Sequence, residues 1–155
     1  MKVVIVGCGR TGLTLSELLV RGGHDVTVID LDRAALARLS QPFKGTTLQG
    51  SGTDMDVLRQ ASIDKADAFI ALTEGDNRNL MAAQVAKQIF GVKTVIAKVN
   101  DPIRAHTYRR HGISTFSRTT ILATLLEAML MGDPEVGKVL VERSTSLEAT
   151  LAETR

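Results

Sequence analysis

Six residues near the start of the chain, Gly7-Cys8-Gly9-Arg10-Thr11-Gly12, have the types and spacing to hold a phosphate. They form a G-x-G-x-x-G segment directly after an apolar run, residues 2–6 (KVVIV), and at the opening of a helical stretch, residues 10–21. In that setting the first glycine makes a tight turn and the second lets the backbone approach a pyrophosphate. The third allows helix to pack closely on strand. Amides at the helix start and the helix dipole then face the anion. Asp30 closes the next apolar run, about 20 residues after the loop, where a carboxylate accepts ribose hydroxyls. It repels a 2′-phosphate, so the pattern points to NAD, ATP or ADP rather than NADP. As a plain turn residue Asp30 would only cap the strand end, but the loop upstream favours the ribose role. Asp32 suits the N-cap of the helix that follows.

Two later segments reach the same edge. Gly50-Ser51-Gly52-Thr53 follows the third strand-like run, and Leu72-Thr73-Glu74-Gly75-Asp76-Asn77 follows the fourth. Small polar residues at the carboxyl ends of parallel strands line ligand crevices, although ordinary turns use the same residues. Lys98, at the end of the fifth run, can reach a phosphate or stand in solvent. Cys8 is a small filler in the loop. A helix start can lower a thiol pKa, but no second cysteine or neighbouring histidine supports a redox role. His24, His106 and His111 are scattered, and His111 beside Gly112 reads as a helix end with a favourable dipole.

The elements that must carry these residues alternate regularly. Strands are expected over residues 2–6, 26–30, 46–49, 68–72, 94–99 and 113–116. Their Val- and Ile-rich runs have the continuous apolar character of parallel strands buried on both faces. Helices are expected over 10–21, ended by Gly22-Gly23, and over 33–39. A third carries Val57, Leu58 and Ala61, and a fourth covers 76–90 up to Gly91. A fifth is opened by Asp101-Pro102 and closed by His111-Gly112. The connections fit crossovers rather than hairpins, so the fold class is an α/β Rossmann-like, doubly wound parallel sheet of about six strands. A further helix over 120–131 groups Leu122, Leu125, Leu126, Met129 and Leu130 and is too apolar for a free monomer surface. Residues 138–142 (KVLVE) read as a lone strand. The expected division is therefore a nucleotide-binding domain over 1–131, then a linker and the start of a further domain over 132–155.

Composition fits and excludes. The chain has 155 residues, 44% hydrophobic but only 3% aromatic, which calls for an aliphatic core. So few rings, and basic residues interspersed with acids at a net charge of +2, argue against nucleic acid as a partner. One cysteine excludes an intramolecular disulfide and a multi-cysteine zinc site. No stretch approaches the length of a membrane span, and the start is not a signal peptide, so a cytoplasmic protein is expected.

Taken together, VIVGCGRTG, VTVIDLD, LQGSGTD, AFIALTEGDNRNLMAA and VIAKVNDP before a helix ending in HGI resemble the RCK/KTN nucleotide-binding domain of Trk- and Ktr-type potassium-uptake regulators. The resemblance covers residues 1–131. It implies that Gly7, Gly9 and Gly12 hold phosphates, that Asp30 binds ribose, and that Ser51, Gly52, Thr53 and Thr73 flank the adenine. It also implies a phosphate contact for Lys98, a nucleotide or neighbour contact for Arg10, and a subunit-packing role for the apolar helix. The candidate binding set is thus Gly7, Cys8, Gly9, Arg10, Thr11, Gly12, Asp30, Leu31, Asp32, Ser51, Gly52, Thr53, Thr73 and Lys98. Ser117-Arg118-Thr119 stands where the family often has a proline. Of the family's C-terminal ligand-binding domain, which in some relatives binds cyclic di-AMP, only KVLVE and the tail suggest a beginning.

The resulting expectation is a non-catalytic regulator. An adenine nucleotide, NAD/NADH or ATP/ADP, would shift the arrangement of a homo-oligomer and so gate a membrane potassium channel or transporter. Such a protein would sit at the inner face of the membrane through that partner. The alternative is an NAD-dependent oxidoreductase or its cofactor domain. No second domain brings substrate to a nicotinamide, and Tyr108 has Gly112 where short-chain dehydrogenase chemistry needs a lysine. A methyltransferase is a third, weaker fit.

Overall fold

The computed structural model describes residues 1–132. Strand β1 (Lys2–Val6) lies inside a six-stranded, all-parallel sheet with β2 (Asp25–Asp30), β3 (Thr46–Gln49), β4 (Ala68–Ala71), β5 (Thr94–Lys98) and β6 (Ser114–Phe116). The order across the sheet is β3-β2-β1-β4-β5-β6. The register pairs Val6 with Ile29 on one side and with Ala71 on the other, so the carboxyl ends of β1, β2 and β4 are level. Between β1 and β4 the connections turn from one side of the sheet to the other. That is the switch point at which open parallel sheets form a ligand crevice.

Side-chain alternation along the strands separates two cores. Val3 and Ile5 of β1, with Val26 and Val28 of β2, face Leu13 of helix α1 (Arg10–Arg21) and Ala35 and Leu36 of α2 (Arg33–Leu36). Val4 and Val6, with Phe69 of β4, face the other way. They meet Leu58 of α3 (Met55–Gln60), Leu80 and Ala83 of α4 (Asp76–Gln84) and Ala105 of α5 (Pro102–Arg109). Helices therefore cover both faces, as the continuous apolar strands require.

Most element bounds fall within a residue or two of the sequence expectation, and two helices differ more. Helix α2 ends at Leu36, not Leu39. The chain tightens into shorter bonds, Arg38 N to Ala35 O at 3.3 Å and Leu39 N to Leu36 O at 3.2 Å. This keeps Leu39 in the core while the buried Glu17 carboxylate accepts the Ser40 amide at 3.0 Å and draws the chain away from the helix axis. The expected helix over 76–90 is α-helical only to Gln84; Val85–Ile89 widens to π geometry, with Phe90 N bonded to Val85 O at 3.2 Å. Gly91 then turns the chain at φ +67°.

A second unit of the chain begins at Arg118, after a first unit over residues 1–117. Its described part is helix α6 (Arg118–Met131), two residues longer at its start than expected. Ile121, Leu122, Leu126, Met129 and Leu130 are exposed, the last by 84%. The strand expected over 138–142 and the domain expected over 132–155 lie outside the described residues, Gly132 apart. No helix among the described residues is long and apolar enough to cross a membrane.

Candidate functional site

The glycine loop is held by backbone. Gly7 N donates to Ile29 O at 2.8 Å and Leu72 N to Val6 O at 2.7 Å, so the loop leaves β1 fixed to both neighbouring strands. Gly7 has φ +103°, and a side chain there would meet Leu72 and Thr73 backbone at 2.9 Å. Gly12 permits no side chain at all, because its Cβ would fall 1.9 Å from the Gly7 carbonyl oxygen. Gly9 is the opposite case. It caps α1 with nothing within 4 Å of the place a Cβ would occupy, and no side chain caps the amides that open the helix. The three glycines thus divide as turn, open approach and helix–loop packing. Open space beside uncapped amides fits an anion.

Asp30 does structural work before any ligand arrives. One carboxylate oxygen accepts Cys8 N at 2.6 Å and the other accepts Asp32 N at 2.9 Å. It ties the loop after β1 to the turn after β2, and its remaining lone pairs are left for hydroxyl donors. Asp32 caps α2 through Ala34 N at 2.8 Å. Across the floor, Ser51 and Thr53 hydroxyls pair at 2.8 Å, and Gly52 lies so close to Val6 that a side chain would collide at 2.2 Å. On the far wall the buried Asn79 uses its whole amide. Its oxygen accepts Thr73 N at 2.8 Å and Thr73 Oγ1 at 2.7 Å, and its nitrogen donates to Thr73 O and Lys98 O, each at 2.9 Å.

These groups surround a cleft of about 290 Å³. Gly7 and Gly9 come from the loop, Asp30, Leu31 and Asp32 from the end of β2, Gly50–Thr53 from the end of β3, and Leu72, Thr73 and Glu74 from the end of β4. Nine of the candidates therefore line one cavity: Gly7, Gly9, Asp30, Leu31, Asp32, Ser51, Gly52, Thr53 and Thr73. Five are not brought to its wall. Gly12 is packed beneath the loop, and Arg10 and Thr11 are exposed at the start of α1. Cys8 is fully buried, its Sγ 3.4 Å from Ala35 O. Burial, and then the Asp30 charge, push its thiol up to about 11 against a smaller opposing effect of Arg38. It stays protonated and serves as filler. Lys98 is 5% exposed and paired with Glu74 at 3.4 Å.

Four further side chains shape the cleft, and of these only Glu74 belongs to a segment the sequence brings to this edge. Arg38 donates to Cys8 O at 3.2 Å from eight residues beyond Asp30, a spacing that belongs to no motif. Glu74 and Arg78 line the wall after β4. Asn79, the organiser of that wall, looks in sequence like any polar residue in the first turns of a helix.

A family profile described as the TrkA-N domain matches residues 3–118. The chain is 43% identical over 154 residues to the Trk system potassium uptake protein TrkA of Streptomyces coelicolor, covering 94% of this chain and 69% of that one. It is 34% identical to a TrkA homolog of Methanothermobacter thermautotrophicus, covering 91% of this chain and 65% of the relative. The chain thus spans about two thirds of the length of these relatives. Among solved structures, the Kef CTD of Shewanella denitrificans in AMP-bound form superposes with a TM-score of 0.70 at 20% identity, over 98% of this chain and 99% of that one. That likeness supports the fold. On the profile match and the similarity to the Streptomyces protein, the chain belongs to the TrkA-N domain family.

Proposed function

We propose that this chain is a nucleotide-binding regulatory part of a potassium-uptake system. It holds an adenine nucleotide, NAD/NADH or ATP/ADP, with phosphate at Gly7 and Gly9, ribose at Asp30 and the base over the Ser51–Thr53 floor. The observation that carries the reading is the open flank of Gly9 beside uncapped α1 amides, in a loop whose Cys8 amide is bonded to Asp30. Membership of the TrkA-N family and the AMP bound by the Shewanella structure support it. The acids of the wall are engaged in structure: Asp30 with two amides, Asp32 with the Ala34 amide and Glu74 with Lys98. This suits grip rather than turnover, so the chain is read as a non-catalytic sensor. Copies associate through the apolar face of α6, and the nucleotide acts on a membrane channel or transporter only as far as it prefers one arrangement of copies. Such a sensor works at the cytoplasmic side of its membrane partner.

Thermal shift against AMP, ADP, ATP, NAD, NADH and NADP tests the grip. At a hundredfold excess over Kd a native-state ligand adds about 2.7 kcal/mol, or roughly 5–11 °C for a chain of this size. NADP should be the weakest, because Asp30 repels its 2′-phosphate. No shift with any adenine nucleotide would remove the proposal.

A further inference from the structure

Arg78 stands in the first turn of α4 and lines the cleft beside Thr73 and Glu74. Its guanidinium lies across the loop before the helix. Nε is 3.1 Å from where a Gly75 side chain would sit, space that the glycine leaves open. Among the described residues Arg78 makes no hydrogen bond or ion pair. The acids next to it are engaged elsewhere. Glu74 pairs with Lys98 at 3.4 Å, and the Asp76 carboxylate accepts the amides of Asn100 and Asp101, each at 2.9 Å. A positive charge in the first turn of a helix is opposed by the helix dipole. The fold therefore gains nothing from a cation here, and an anion in the cleft reverses that balance.

Sheet order decides which part of a ligand meets it. Asp30 ends β2, the glycine loop follows β1, Arg78 follows β4, and the strands lie in the order β2-β1-β4. The ends of β2 and β4 are thus about 10 Å apart, with the loop between them. A ribose held at Asp30 with its first phosphate at the loop sends whatever follows that phosphate toward Arg78.

We infer that Arg78 selects nucleotides carrying more than one phosphate, through a charge-assisted contact to the second phosphate or beyond. The inference rests on the adenine-nucleotide reading above. Its test is titration calorimetry of AMP, ADP and ATP against the unaltered chain, Arg78→Gln and Arg78→Lys. Arg78→Gln should weaken ADP and ATP by about tenfold and AMP by less than about twofold. Arg78→Lys should recover part of the loss. The side chain is exposed, so ligand-free melting should not change. Equal weakening of all three nucleotides, or no weakening of ADP and ATP, overturns the role of Arg78 while leaving the nucleotide site standing. An unaltered chain that binds none of the three overturns the role of Arg78, and one that binds neither these nor NAD or NADH overturns both.

Discussion

Gly9→Ala and Gly12→Ala add the same methyl group three residues apart, and the structure gives them opposite consequences. At Gly12 the new carbon falls 1.9 Å from the Gly7 carbonyl oxygen and 3.0 Å from its carbon. Both obstacles are backbone, so no rotamer change relieves them. Overpacking costs about 1–3 kcal/mol and sometimes more; a clash between helix and loop belongs at the upper end. About 3 kcal/mol is a melting temperature lower by roughly 6–12 °C for a chain of this length. At Gly9 the backbone has φ −68° and ψ −176°, which alanine adopts freely, and no atom lies within 4 Å. Alanine is a poorer N-cap than glycine, but the less flexible unfolded chain offsets about 0.4–1 kcal/mol of that. Gly9→Ala should therefore melt within about 4 °C of the unaltered chain yet bind nucleotide at least about tenfold more weakly, its methyl occupying the anion's approach. Calorimetric melting and nucleotide titration on both variants read the two effects. If Gly12→Ala melted normally while Gly9→Ala kept full affinity, the division of labour among the glycines would be wrong.

Three other outcomes follow from the same geometry. Asp30→Asn replaces one acceptor with a donor facing a backbone amide, and should lower stability by about 1.5–3 kcal/mol as well as weaken nucleotide; loss of affinity with unchanged melting would separate ribose contact from loop anchoring. The Cys8 thiol has a folded pKa of about 11, above its ordinary 9.0. The linked stability is fully present below pH 9 and is lost as pH rises through 11, and this loss should be absent in Cys8→Ala. Leu126→Glu, on the exposed apolar face of α6, should reduce self-association measured by analytical ultracentrifugation; a variant that associates like the unaltered chain moves the interface elsewhere.

The sheet and most of the cleft were legible because their signals are local. A run such as KVVIV reads as a buried parallel strand, G-x-G-x-x-G reads as a phosphate turn between strand and helix, and Asp30 stands at the end of the next strand. What stayed hidden depends on contacts between distant residues. Arg38 reaches back 30 positions to Cys8 O, and Asn79 joins Thr73 to Lys98 across two strand ends. Lys98 ends β5 as its place in the string suggests, but nothing there shows that Glu74 engages it in a nearly buried position. The second role of Asp30, accepting the Cys8 amide, is equally invisible, as is the π geometry of Val85–Ile89, since the apolar spacing of that stretch suits an α-helix as well.

Direct titration of the unaltered chain and of Gly9→Ala with ATP, ADP and NADH, read by calorimetry, tests the central claim that the glycine cleft grips an adenine nucleotide. The expected result is saturable binding of at least one of these ligands at one site per chain, weakened at least about tenfold in a Gly9→Ala protein that remains folded. Absence of binding by every nucleotide, or binding that Gly9→Ala leaves unchanged, would contradict it.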